Sequence, residues 1–447
     1  MRTVAWTKSD SRASAKKVMP LVSAPSTKFD IEFWLVLGML LLTTVFPAIS
    51  KYRSYDPNVI LTNPAAQFTW SLMYLAAGIR LFTLRGRALP IIKRTPTLWI
   101  LLAYFVLSIG WSVLAATTLT NSIELIGTTV IALYIVVRFT LRESLEILTL
   151  NFGIVGFASL AMVFGAPGHG RMDWGSGPWM GIFQDKNTLA AAMALGILST
   201  LPLIVEGLRR KRVFSLCVFA LCLTLLVGSH SATAAIAVIS AIGVALVALI
   251  LRSEKLTTAS RAAIVGAIAF VVGTMWALNL TLSNFLAMVG RSPNLTGRTD
   301  FWPYLWQAIS DRPFLGFGFD AFFRSATGAQ YLSNYVVQAG GWTPYHSHNS
   351  FIQALIDGGI VALGLLVITL VVALWRAVKY TARSKEKISV WPLAIVVYLI
   401  IGSFTETYLD QVNTFEMILF VAALMYPLRA WAITEESMAS RGLRPKS

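Results

Sequence analysis

The chain has 447 residues, of which 56% are hydrophobic and only 13% charged. An ordinary soluble domain is about 45–50% apolar and about 25% charged, so this balance excludes a disordered chain, a disulfide scaffold and an ordinary cytosolic enzyme, and predicts an all-α polytopic membrane protein. The formal net charge of +16 would suggest nucleic acid in a soluble protein; in a membrane protein it marks basic loops that stay in the cytoplasm.

Residues 1–32 form a basic, Ser-rich tail with neither a short apolar core nor a small-residue cleavage site, so a cytoplasmic tail and an uncleaved first helix are expected. A helix needs about 17–25 apolar residues to cross the hydrocarbon. Runs of this kind occupy 33–50, 66–83, 97–115, 122–138, 144–164, 188–205, 213–228, 232–251, 262–282, 350–375, 390–408 and 412–431. About 12 transmembrane helices follow, nine within 33–282 and three within 350–431, with a short cytoplasmic tail at 432–447. Glu124 makes the fourth run the weakest. Gly228-Ser229-His230-Ser231 leaves room only for a tight hairpin between the seventh and eighth. Cys217 and Cys222 lie inside the seventh run and its extension, and read as small core hydrophobes.

With both termini cytoplasmic, 28 of the 37 Lys and Arg fall on the inner side or in the tails. The charge is therefore an address, and no nucleic acid is expected. Two outer loops are long, 165–187 and 283–349, and the second is large enough to hold surface helices and a function. Arg80 and Glu146 are expected to snorkel at the inner surface, whereas Glu406 and Glu416, acids inside spans, need a partner or a cavity.

All four histidines, His169, His230, His346 and His348, fall at the outer face. Tyr345-His346-Ser347-His348-Asn349-Ser350 directly precedes the tenth run. Two histidines two apart resemble a metal pair, but zinc needs further ligands, and neither D-x-D nor H-E-x-x-H is present, so no metal is predicted. A neutral imidazole can instead accept a hydroxyl proton, with Asn349 orienting it. Against that stands plain helix capping by His348 or Asn349. Upstream, Phe301, Leu305 and Ile309 are spaced as one face of an amphipathic helix, expected to lie at the membrane surface with Thr299 as its N-cap. Arg298 stands at that helix start, where positive charge and free N–H groups suit a phosphate or diphosphate. Lys186 holds the same position before the sixth run, and Arg171 and Arg291 are further cations of the outer loops. Several cations, one base and no nucleotide loop fit transfer of a group activated as a lipid-linked phosphate or diphosphate.

Gly297-Arg298-Thr299-x-x-Trp302, Arg312-Pro313-x-Leu315-Gly316-x-Gly318 and His348-Asn349 before a Gly-rich span together resemble the O-antigen ligase and Wzy-type polysaccharide polymerase family. Gly181-x-Phe183-x-x-Lys186-Asn187 is similar to the ExoQ-type exopolysaccharide polymerases within it. In the family's ligases a histidine and a polar residue are followed by nine residues, a Gly, two residues and a small or hydroxyl residue; here these are His348-Asn349, Gly359 and Ala362. The resemblance implies a GT-C-like glycosyltransferase of the bacterial inner membrane with its site facing the periplasm. Its donor would be an undecaprenyl-diphosphate-linked oligosaccharide, and it would need no cofactor. His348 would be the catalytic base. Arg298, with Lys186, Arg171, His346, Asn349 and Arg291, would bind substrate. A chain-length regulator and a flippase of the same pathway are implied as partners, beside membrane lipids. The expected activity is polymerisation of exopolysaccharide repeat units. The alternatives are ligase-type transfer to lipid A core or protein and, from another class, a twelve-helix transporter or flippase.

Overall fold

A computed structural model describes residues 31–53, 64–207, 209–253, 256–260, 298–339, 341, 343–409 and 411–440. The expected ninth span, the start of the large loop with Arg291, most of the N-terminal tail and the end of the C-terminal tail lie outside these residues. The described chain is all-helical: α1 Ile31–Arg53, α2 Pro64–Thr83, α3 Arg85–Lys93, α4 Pro96–Leu107, α5 Ala115–Arg138, α6 Leu141–Gly165, the single turn α7 Pro167–Gly170, α8 Lys186–Glu206, α9 Arg209–Gly228, α10 Ala232–Leu251, α11 Arg298–Asp311, α12 Ala326–Gln338, α13 Ser350–Arg383, α14 Trp391–Gly402 and α15 Phe415–Ser440. Six of these, α5, α6, α8, α9, α10 and α13, are long and apolar enough to cross a membrane, and the bent pair α3–α4 makes up to seven.

The bundle is built around helices whose apolar residues run all the way round. α8 buries Leu189 through Thr200 without a break, a run rich in alanine that lets its neighbours approach closely. Asp185 starts it by accepting the N–H groups of Asn187 (2.8 Å) and Thr188 (3.0 Å). α6 opens with a capping box between Thr140 and Glu143. α14 and the first half of α15 are similarly enclosed.

Several expectations change. The third apolar run does not stand alone: α3 lies across its start, and the two helices meet at 84°. The seventh and eighth runs do not pair tightly, because α9 packs on α8 and α6 while α10 packs on α14 and α8. The helix of the eleventh run, α14, stops at Gly402, so Glu406 lies in the connection after it. Arg80 and Glu146 do more than snorkel: Arg80 and Arg138 both pair with Glu32, which also accepts the Tyr134 hydroxyl at 3.2 Å, and Glu146 pairs with Lys211.

α11 and α12 form a small layer of their own. Phe301, Leu305, Ala308 and Ile309 are buried as the spacing predicts, but against α12 and the first turns of α13 rather than on a lipid surface. α13 is broken at Gly358 and Gly359, the latter at φ 63° and ψ −160°. The segment Pro313–Gly318 fills the break. Phe317 and Gly318 donate their N–H groups to the carbonyls of Ile356 (2.8 Å) and Asp357 (3.0 Å), and Ile360 donates to that of Pro313 (2.8 Å). The Tyr104 hydroxyl takes the Gly358 carbonyl at 2.7 Å. The carbonyls and N–H groups released by breaking a helix thus find partners in the loop. A β-carbon on Gly359 would sit 2.3 Å from the Phe314 carbonyl, so only glycine suits both the backbone angle and the contact.

Candidate active site

The break orients the first two turns of α13, and the loop before them carries the histidines. Ser347 is the anchor of that loop. Its carbonyl accepts the Trp302 indole N–H (3.0 Å) and its N–H donates to Gln353 Oε1 (3.0 Å). The Gln353 amide nitrogen in turn donates to both Asp357 oxygens, at 3.2 and 3.1 Å, which fixes which way the amide points. Asn349 caps α13 by accepting the N–H groups of Phe351 (2.9 Å) and Ile352 (3.1 Å), and its own amide donates to the Phe404 carbonyl at 3.0 Å. So held, His348 adopts φ 51°. A left-handed conformation in a non-glycine residue persists where its surroundings over-determine it, and such residues cluster at functional sites.

His348 Nδ1 lies 3.2 Å from Glu406 Oε2. The carboxylate is acceptor-only, so Nδ1 carries the proton and Nε2 keeps a basic lone pair. The His346 ring lies 4.0 Å from the His348 ring, centre to centre, and its Nδ1 accepts the His348 backbone N–H (3.0 Å), with the Thr407 hydroxyl 3.3 Å from the same nitrogen. Phe301, one turn into α11, puts its ring 6.3 Å from that of His348.

Glu406 reaches His348 because Ser350 ties the two segments together. The Ser350 N–H donates to the Ser403 carbonyl (2.9 Å), and its hydroxyl accepts the N–H groups of Tyr408 (2.9 Å) and Leu409 (3.2 Å). The dyad is 13% exposed at the histidine and 8% at the glutamate, nearly dry and still open on one side. Two residues past the loop that fills the break, Asp320 pairs with Arg324 at 2.8 Å and accepts the Asn121 amide at 2.7 Å. Burial raises the Asp320 carboxyl above its usual range, against the pull of Arg324.

The structure brings His348, His346 and Asn349 together, with Asn349 acting as the helix cap. Arg298 opens α11, the helix whose Trp302 clamps the histidine loop, though its own side chain lies outside the described atoms. Lys186 opens α8. Arg171 lies against the end of α6, its Nε donating to the Val163 carbonyl at 3.2 Å and its guanidinium over Phe164 and Trp179. A chain of contacts leads from there toward the dyad: the Trp179 N–H to the Gly228 carbonyl (2.9 Å), Ser231 to Asn187 (3.1 Å) and Thr405 to Thr233 (3.0 Å).

Sequence reasoning took Glu406 for a residue inside a span, and gave Ser350, Gln353 and Arg324 no role in the site. The Ser403, Thr405 and Thr407 hydroxyls around Glu406 were the available sign that the apolar helix had already ended.

Chemically, a neutral imidazole backed by a carboxylate can take a proton from a hydroxyl while the carboxylate stabilises the imidazolium that forms. The O-antigen ligase family model matches residues 217–367, which contain the histidine loop, α11, α12 and the break. The exopolysaccharide production protein ExoQ of Rhizobium meliloti (strain 1021) is 25% identical over 345 residues, 73% of this chain and 76% of that protein. The family match spans the motifs around Arg298 and His348, where the chain is similar to the O-antigen ligases, and over most of its length it is similar to the ExoQ protein.

Proposed function

We propose that this chain polymerises lipid-linked exopolysaccharide repeat units on the periplasmic face of the bacterial inner membrane. The growing glycan moves from undecaprenyl diphosphate to a sugar hydroxyl of the next unit. The observation that carries this reading is the His348–Glu406 dyad, held in a loop that Trp302 clamps from the helix opened by Arg298.

In the step itself His348 Nε2 takes the proton of the acceptor hydroxyl. The new bond forms between that oxygen and the donor's anomeric carbon as the bond from that carbon to the phosphate oxygen breaks. The electron pair leaves with the diphosphate, whose growing charge is met by Arg298, with Lys186, Arg171 and Arg291 as the further cations. The twelve-span layout with both termini cytoplasmic belongs to the same proposal, as do a chain-length regulator and a flippase as partners.

The family model's description keeps a second reading in view: the same donor chemistry with lipid A core or a protein as acceptor. Transport loses one of its two supporting acids, since Glu406 faces His348 outside the helix.

The test is transfer by the full-length protein in lipid nanodiscs, given lipid-diphosphate oligosaccharide in the presence of EDTA. A ladder of repeat lengths that disappears in His348→Ala is the expected result. A single shift that needs a second acceptor means a ligase, and a donor left intact under every condition overturns the transferase reading.

A further inference from the structure

Between α1, α2, α5, α8 and the start of α15 lies a cavity of about 190 Å³, many times the roughly 10–15 Å³ that one water needs. Its lining includes Trp70, Glu124, Thr188, Asn413 and Glu416. Two acids facing a cavity among apolar helices are costly unless something polar meets them. Asn413 accounts for part of this. Its amide nitrogen donates to Glu124 Oε2 at 3.2 Å, its carbonyl oxygen accepts the Tyr74 hydroxyl at 2.5 Å, and its own N–H donates to the Thr128 hydroxyl at 2.9 Å. It does this at φ 56°, a left-handed non-glycine residue, like His348, in a wall that fixes its position.

One stretch of chain links the cavity to the dyad. The connection from α14 to α15 has Glu406 near its beginning and leads to Asn413 and Glu416 at the cavity. The Glu416 carboxyl feels the charge of Glu406, and the Tyr398–Tyr408 pair, rings 5.7 Å apart, interacts with both acids.

From this geometry we propose that the cavity is a subsite for one neutral sugar ring of the acceptor. Carboxylates and an amide suit a ligand rich in hydroxyl donors, and an indole face suits the C–H face of a pyranose. The volume is ample for one sugar ring. With two acids and no cation among the described lining residues, the cavity offers a uronic acid or a phosphate no counter-charge. The acceptor role rests on the transferase reading, whereas sugar binding does not.

The experiment is saturation-transfer NMR on the full-length protein in nanodiscs, with D-glucose, D-galactose and D-mannose as probes and D-glucuronate as the charged counterpart. Transfer to at least one neutral hexose and none to glucuronate is expected. Losing a carboxyl hydrogen-bond partner in Glu124→Gln or Glu416→Gln weakens that signal about fivefold, and Trp70→Ala removes it. Ala192→Leu, which fills the cavity without touching a polar group, has the same effect in a chain that elutes as the wild type does. No signal from any hexose, or signals that survive all four variants, overturns the proposal. Polymer formation is measured on the same nanodiscs, so the two readings fail separately. Polymerisation with cavity-independent sugar signals places the acceptor elsewhere, and cavity-dependent sugar binding without transfer leaves a sugar site in a protein of another activity.

Discussion

The two ends of the bundle treat carboxylates differently. At one end three acids are matched by bases: Glu32 by Arg80 and Arg138, Glu206 by Arg142, Glu146 by Lys211. At the other, Glu406 faces a histidine, Glu416 and Glu124 face a cavity, and Arg324 serves Asp320 while also acting on Glu124 and Asp357. Charges cancelled in pairs hold helices in register and do nothing else. Acids set against a proton acceptor or an empty space are expensive to keep, and the expense points to a ligand or a reaction. The partner an acid faces thus says more about its use than its residue type does.

That contrast can be broken by substitution. His348→Ala should remove transfer, a loss of about 10²–10⁴-fold for a general base, with the protein eluting and melting as before; retained polymer in a gel assay would refute the role. Gly359→Ala should lower stability by about 2–4 kcal/mol through a forced left-handed alanine and the clash with Phe314, read as a fall in melting temperature. Glu406→Gln should cost about tenfold or more in kcat with KM for the donor little changed; an equal loss in KM would mean Glu406 binds substrate rather than orienting the base. At the paired end, Glu32→Gln should cost about 1–2 kcal/mol of stability, reduced by the exposure of Arg80, and leave kcat alone; a kcat effect there would erase the distinction between the ends. Arg142→Ala, in a half-exposed pair, should change stability by less than about 0.5 kcal/mol.

How much of this was written in the sequence depends on what each signal measures. Apolar run length located helices well: 232–251 coincides with α10, and the tenth run begins where α13 does. It located their ends less well, since hydropathy averages over residues on both sides of a stop, and Glu406 was absorbed into a span for that reason. Periodicity identified the buried face of α11 but not its partner, because a spacing of Phe301, Leu305 and Ile309 is the same whether lipid or α12 lies beneath. The motif residues were legible as chemistry, yet Trp302 as the clamp on Ser347 and Ser350 as the tie to Glu406 are contacts across 45 and more residues of chain. No local pattern encodes these.

The loop seated in the broken helix has a practical consequence for engineering. Pro313–Gly318 and Ile356–Ile360 share their main-chain hydrogen bonds, so they behave as one splice joint formed from two distant stretches of chain. A chimera with a relative that exchanged only the loop, or only the broken helix, would leave main-chain groups stranded on both sides. The portable unit is therefore discontinuous: 312–319 must travel with 353–362. Recombination points placed between α12 and α13 should yield misfolded protein, whereas exchanging the two stretches together should transplant the histidine platform intact.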